Sequence, residues 1–299
     1  MANSIDLVTK YLPLFEESLA LGDLTSDIVN QDKLDFAGAN KVKVLKAEIG
    51  NPLTYNRAAG YNKNDVTVTW QEFTMGQDRY TKLGIDTMDN EETLDQTNKA
   101  VLAKAAKEYK KELDFYRLGA IASANNITTA TAAALANGAQ VASALDAAEA
   151  AIVNADATID NCILYISPTN YTMLKREIGD KSGRFTLGTG AYDNRIEYFD
   201  GMKVVQVPES RFYVGTQYNA TTGAIEAAVD NNSAKQGINF LIVNKDAVAC
   251  PVKLYKEKFI PESINADARE DILVLNWYHD AFVFDTMAPS IYLHAKVAA

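Results

Sequence analysis

The chain has 299 residues, with 29 lysines and arginines against 39 aspartates and glutamates, a formal net charge of −10. Its 47% hydrophobic and 23% charged residues are ordinary globular proportions; they exclude a disordered polypeptide, and the excess negative charge excludes a basic nucleic-acid coat. No apolar run approaches the roughly 20 residues that span a bilayer, Met1 to Asp6 has no signal-peptide character, and Cys162 and Cys250 alone imply no disulfide framework, so composition describes a soluble, acidic, intracellular protein of one large domain or two small ones.

Taken in order, residues 5–21 predict an amphipathic helix. Ile5, Val8, Leu12, Phe15 and Leu19 recur every three or four positions. Pro13 should kink it, and Gly22-Asp23 should stop it. An irregular connector follows through about Asn40, making residues 1–40 an arm that docks on its own body or on a partner.

Lys41 to Lys46 alternates basic and apolar residues. Asp65 to Gln71 alternates again, with Val66, Val68 and Trp70 on one face. Period two predicts two half-exposed strands, and the turn-formers between them predict a hairpin with a tip of about 15 to 20 residues. Residues 41–63 carry Lys41, Lys43, Lys46, Arg57 and Lys63 against Glu48 alone. A basic projection from an acidic body is suited to an acidic surface on a neighbour.

Residues 76–88 read as strand-like. Asp89 and Glu92 then have capping-box spacing, and Leu94, Val101, Leu102, Ala105, Tyr109, Leu113, Tyr116 and Ala120 form an apolar stripe. A helix over 91–122 would be roughly 48 Å long, a spine that crosses the molecule. A second helix is predicted over 139–154, with Val141, Leu145, Ala148 and Ile152 inward. Strands are predicted at 162–166, 203–207 and 238–243, and a helix from Ser167-Pro168 to Ile178 with proline in its favoured first position. Residues 179–195 read as a glycine-rich loop. Val252–Ile260 and Asp271–Asp285 read as long strands, the second with Leu273, Leu275, Trp277, Ala281, Val283 and His279 on one face. Ser290–His294 is expected to pair back on it, which would bring His279 and His294 together. No internal repeat is visible.

No catalytic constellation emerges. Gly179 to Arg184 has phosphate-loop residue types in the wrong order, and neither a nucleophile elbow nor H-E-x-x-H occurs. Two histidines without a nearby cysteine do not complete a zinc site. The acidic clusters at 86–92 and 267–271 lack the offsets and central glycine of a calcium loop. Cys162 and Cys250 read as small buried hydrophobes. The expectation is no enzyme, no cofactor and no metal.

The order of elements resembles the major capsid proteins of tailed bacteriophages with the Hong Kong 97-like fold. The local likeness lies in Leu53 to Arg57, Thr69 to Thr74, Asp78-Arg79-Tyr80 and Ile85 to Thr93, similar to the loop-to-spine junction of phage capsid proteins from Gram-positive hosts. The resemblance implies an α+β fold with an N-terminal arm (1–40), an extended β-hairpin loop (41–75), a peripheral domain including the spine helix (76–125 and 244–299) and an axial domain (126–243). It implies a structural subunit that assembles with itself into pentamers and hexamers of an icosahedral head around double-stranded DNA. The implied location is the virion, with assembly in the host bacterial cytoplasm, no membrane, and a portal as partner. Assembly-interface candidates are Lys41, Lys43, Lys46, Tyr55, Arg57, Lys63 and Trp70 in the loop, and Gly183, Gly188 and Gly190 as axial contacts. The short stretch before the hairpin leaves no room for a cleaved scaffolding segment, so a separate scaffolding protein is expected. Lys46 and Lys63 lie in the loop where relatives form isopeptide crosslinks, but no partner asparagine is identified and none is predicted. An encapsulin-type shell is the alternative within the fold; an α/β enzyme is the alternative outside it.

Overall fold

The computed structural model describes residues 24–30, 35–36, 41–51, 53–55, 57, 63–86, 96–177, 185–187, 195–219, 221–229, 235–260, 262–265 and 269–298, with the backbone alone for residues 96–106 and several strand positions. The helix expected over 5–21, the cap expected at Asp89 and Glu92, and Gly183, Gly188 and Gly190 lie outside the described residues.

A short strand β1 (Asp35–Phe36) precedes the hairpin strands β2 (Lys41–Ile49) and β3 (Val66–Thr74), and β4 (Gln77–Asp86) follows directly. The long helix α1, expected as a spine, runs over Gln96–Ala122, a rise of about 40 Å. Then come β5 (Thr128–Thr129), α2 (Gly138–Asn154), β6 (Cys162–Ile166), α3 (Pro168–Glu177), β7 (Phe185–Leu187), β8 (Ile196–Phe199) and β9 (Met202–Gln206). The chain continues through β10 (Thr216–Tyr218), β11 (Ile225–Ala227), β12 (Ile238–Asn244), β13 (Val248–Ala249), β14 (Val252–Ile260), β15 (Glu270–His279), β16 (Phe282–Val283) and β17 (Tyr292–Ala295).

The centre is a seven-stranded sheet in the order β5-β17-β12-β6-β9-β8-β7. Every residue of β6 and β12 is buried. This is why Cys162 to Ile166 and Ile238 to Val243 read as unbroken apolar runs: both faces of these strands are covered. On one face Ile163, Tyr165, Leu241, Val243 and Leu293 meet Leu118, Ile121 and Ala122 of α1. On the other, Leu164, Ile166, Phe240 and Ile242 meet Val141, Leu145, Ala148 and Ile152 of α2, with Tyr171 and Leu174 of α3. The inward stripe expected on α2 is the one observed. Its start is capped by Asn137, whose side chain accepts from the Gln140 amide at 2.9 Å. Pro168 opens α3, where its missing N–H costs nothing.

The second sheet is β14-β15-β4, with ten-residue strands β15 and β4 in register from Glu270↔Asp86 to His279↔Gln77. Two expectations fail here. The run from Asp271 to Asp285 is not one strand. It ends at His279, because the Asp280 carboxylate turns inward to bond the Gly76 amide (2.8 Å) and the Tyr116 hydroxyl (2.7 Å), and β16 pairs separately with β13. Nor does the C-terminal segment pair back on β15. Strand β17 enters the seven-stranded sheet between β12 and β5, so His279 and His294 belong to different sheets. His294 instead receives a bond at its Nδ1 from the Asn239 amide at 3.1 Å.

Other departures have equally local causes. Residues 24–30 are not a loose connector but are stapled to the body. Ile28 is fully buried in the core, the Thr25 hydroxyl donates to Asp114 (3.1 Å) and accepts from Arg117 (2.7 Å), and Cys250 N–H bonds the Val29 carbonyl at 3.1 Å. Around this staple α1 is buried on almost every side, with Asp114 1% and Arg117 2% exposed, so a one-stripe reading of the spine is too narrow. Within 179–195, Phe185–Leu187 is a strand, β7, at the sheet edge. Among the described residues, no helix is long and apolar enough to cross a membrane.

Candidate functional site

The hairpin sheet pairs β2 and β3 without interruption from Lys41↔Thr74 to Ile49↔Val66. Directly paired residues share a face. Lys43/Glu72, Leu45/Trp70, Ala47/Val68 and Ile49/Val66 therefore line one face, and Val42/Phe73, Val44/Gln71 and Lys46/Thr69 the other. The apolar character changes face part-way along. At the root, Val42 is fully buried and Phe73 stacks on Phe282 at 4.7 Å. Towards the tip the apolar residues stand on the opposite face, in water: Leu45 54%, Ile49 73%, Val66 61%, Val68 55% and Trp70 56% exposed. Beyond them the tip begins at Gly50, closed by the Asn64 side-chain amide, which donates to the carbonyls of Gly50 (2.9 Å) and Asn51 (2.8 Å). Leu53 and Tyr55 in the tip are 55% and 54% exposed.

Each expected loop candidate has a definite place. Lys43 pairs with Glu72 at 2.5 Å and Lys41 approaches the same carboxylate at 3.9 Å. The Lys43 bond holds the Glu72 carboxyl below its ordinary range. Lys46 is half-buried on the face away from Trp70. Arg57, Lys63, Tyr55 and Trp70 are exposed. The basic character is thus weaker than residues 41–63 suggest: over both strands and the tip, five basic side chains face three acidic ones, Glu48, Asp65 and Glu72. Leu45 and Ile49 were not singled out from the sequence, although they continue the face that Trp70, Val68 and Val66 announce. The signal available was their odd-numbered phase, masked by Val42 and Val44 on even positions.

The hairpin is rooted in a buried polar junction where β3 passes to β4. Asp280 holds the Gly76 amide and the Tyr116 hydroxyl of α1, and the Gln77 side chain donates to that hydroxyl at 3.2 Å. One residue pair further, Arg79 of β4 clamps Glu112 of α1 through Nε (2.7 Å) and Nη2 (3.2 Å), caps the Gly223 carbonyl at 2.7 Å, and lies 4.3 Å over the Tyr218 ring. Burial works against the Arg79 charge, but Glu112 outweighs it and raises its pKa. Burial, reinforced by Asp280, raises the Tyr116 phenol well above its ordinary value, and burial beside Glu112 does the same for Tyr218. His279, fully buried, presents its ring edge-on to Tyr116 at 5.1 Å. Burial, and then the Arg117 and Arg79 charges, push it down to about 3.

Both cysteines are buried. Burial raises the Cys162 thiol to about 11, far from a reactive thiolate. Asp146, Glu149 and Asp200 bring carboxylate oxygens within 4.8 Å of one another, but on a partly exposed surface where acidic groups commonly gather without an ion.

No protein-family profile matches the sequence, and no curated protein does. Solved structures do. A chain of the cyanophage P-SCSP1u capsid superposes on 88% of this chain and 85% of its own, with a TM-score of 0.60 at 16% identity. The virus-like particle from Pyrococcus furiosus matches 98% of this chain and 100% of its own, with a TM-score of 0.57 at 11% identity. The bacteriophage PhiM1 mature capsid matches 90% and 84%, with a TM-score of 0.54 at 12% identity. The chain has the Hong Kong 97-like capsid fold. Among the described residues the hairpin carries the largest group of exposed apolar side chains on one face, from Leu45 to Trp70.

Proposed function

We propose that the chain is the major capsid protein of a tailed phage, a structural subunit that assembles with itself into pentamers and hexamers of an icosahedral head around double-stranded DNA. The observation that carries this is the apolar face of Leu45, Ile49, Val66, Val68 and Trp70, held in water on a subunit with a capsid fold. An exposed cluster of this kind marks an interaction surface. A second copy of the chain is the occupant that a shell supplies in every direction. Lys41, Lys43, Lys46, Tyr55, Arg57 and Lys63 form its polar rim, where charge sets register more than affinity. The mapping of arm (1–40), extended loop (41–75), peripheral domain (76–125 and 244–299) and axial domain (126–243) belongs to the same proposal, with β17 going with the seven-stranded sheet. Gly183, Gly188 and Gly190 are proposed axial contacts. The net charge of −10 suits a wall that encloses DNA without gripping phosphate. A separate scaffolding protein and a portal are the proposed partners, in a virion assembled in the bacterial cytoplasm.

The test is electron microscopy of the purified recombinant protein, with and without residues 50–62. Closed shells or capsomer rings are expected from the full chain. The deletion should stay folded and fail to build stable shells. Shells of unchanged stability from the deletion would remove the hairpin from assembly. The whole-length match to the Pyrococcus furiosus virus-like particle supports a second reading, an encapsulin-type compartment. Shells isolated with a co-expressed enzyme and no DNA would favour it.

A further inference from the structure

We infer that separation of the spine helix α1 from strands β4 and β15 is coupled to the uptake of a proton by His279, so that acid loosens the root of the hairpin. The geometry starts from an anomaly. His279 is fully buried, and among the described residues neither Nδ1 nor Nε2 has a hydrogen-bond partner. A buried imidazole normally has one. The groups that face it come from each element packed there. Glu112, Tyr116 and Arg117 come from α1, Arg79 from β4, and Asp280 from its own strand's end, while Tyr218 of β10 stacks on Tyr116 at 6.2 Å. The nearest carboxylate oxygen, Glu112 Oε1, is 4.0 Å from Nε2, and that same oxygen is bonded to Arg79 at 2.7 Å. In the closed junction the imidazole is thus fully buried, beside two guanidinium groups, with the nearest carboxylate oxygen already engaged by Arg79. A proton there is strongly disfavoured. Once α1 moves off, water reaches the ring and it protonates as an ordinary histidine does, near 6.5. The open state therefore binds a proton that the closed state refuses, and falling pH must favour opening.

What opens with it is the hairpin's anchor. Asp280, the neighbour of His279, holds both the Gly76 amide and Tyr116 of α1. This coupling is a property of the folded subunit. Only its consequence, acid-dependent freedom of the hairpin during shell building, rests on the shell-subunit reading.

Hydrogen exchange at the Gly76 amide, corrected for the intrinsic rate, reads the opening equilibrium in the full-length unassembled subunit. Opening should rise about tenfold between about pH 7.5 and 5.5, and roughly ninetyfold between about pH 7.5 and 4.5. In His279→Gln the slope should vanish. A variant that keeps the wild-type slope overturns the inference. If that variant does not fold, the unaltered protein decides. It has only two histidines, and the ring resonance of His279, assigned through its contact with Tyr116, should stay neutral down to about pH 4.5. Titration of that resonance near 6.5 in the folded subunit also overturns it. Neither readout requires a shell, so failure here and failure to assemble are separate outcomes.

Discussion

Replacing Trp70 with alanine tests the apolar hairpin face where it is largest. Trp70 keeps 56% of its surface in water in the isolated subunit. If a second copy covers that surface, about 120 Å² is removed from water, worth about 3 kcal/mol at ~25 cal/mol per Å². Trp70→Ala should therefore weaken each contact about 100-fold. The subunit itself should hardly notice. Inside the chain Trp70 faces Leu45 across the strands, and one cross-strand pair contributes about 0.2–1 kcal/mol. The assay is the protein concentration at which assembly begins, by light scattering or sedimentation, beside a melting curve of the subunit. Repeating it in about 0.05 and 0.5 M salt separates two mechanisms, because screening weakens charge attraction and leaves apolar burial intact. The expected result is an onset that moves strongly with Trp70→Ala, moves little with salt, and leaves the melting temperature within a few degrees. An unchanged onset, or a wild-type onset that collapses in salt, would refute the apolar mechanism and return the weight to the lysines.

Asp114→Ala removes the acceptor shared by Thr25 and Arg211 and leaves Arg117 buried beside an emptied site; denaturant melts should show a loss of about 3–5 kcal/mol. At Gly138 a Cβ would stand 2.4 Å from the Met173 carbonyl, so Gly138→Ala should cost about 1–3 kcal/mol by forcing α2 and α3 apart, whereas helix propensity alone predicts a gain. The depressed His279 makes stability pH-dependent: its contribution is complete above the ordinary value of 6.5 and falls as pH drops towards about 3, a loss of about 2 kcal/mol by about pH 5 that His279→Gln should abolish. A thiol reagent should label neither cysteine in the native subunit, since both are buried and the Cys162 thiol lies near 11, and should label both on unfolding.

Where the environment of a segment is uniform, its sequence declares it. Strand β6 reads as a buried strand because both its faces are dry, and α2 declares its inward stripe because its other face is wet. The reading falters where one element serves two environments. Helix α1 shows one periodic stripe around Tyr109 and Leu113, yet its last turns are enclosed by the seven-stranded sheet, by residues 24–30 and by β10 and β11. Asp114 and Arg117, which look like solvent residues, are buried where Thr25, distant in sequence, bonds both. The same holds for Asp280, an ordinary turn acid until Gly76 and Tyr116 are brought to it. The Lys41 to Ile49 strand misleads differently. Its apolar residues change phase between Val44 and Leu45, so a search for one buried face finds the lysines instead.

That change of phase is itself the strongest physical statement about the hairpin. A two-stranded ribbon serving only as a solvated loop needs an apolar patch at its root, where Val42, Phe73 and Met75 meet Phe282, and nothing beyond. Here a second patch, of similar chemistry, is built on the opposite face, and both strands switch at the same level, Val44/Gln71 to Leu45/Trp70. Among the described residues nothing covers that second patch, because the root fixes the other face inward. A second copy of the chain that covers it would approach from the side away from the ribbon's own root. The direction of that approach is set by the junction of Gly76, Asp280 and Tyr116 that orients the ribbon on the spine. The affinity of the outer patch and the stiffness of the inner junction are therefore linked quantities. A loosened junction spends binding free energy on re-ordering the ribbon, so substitutions at Asp280 should weaken assembly without touching the surface that assembles.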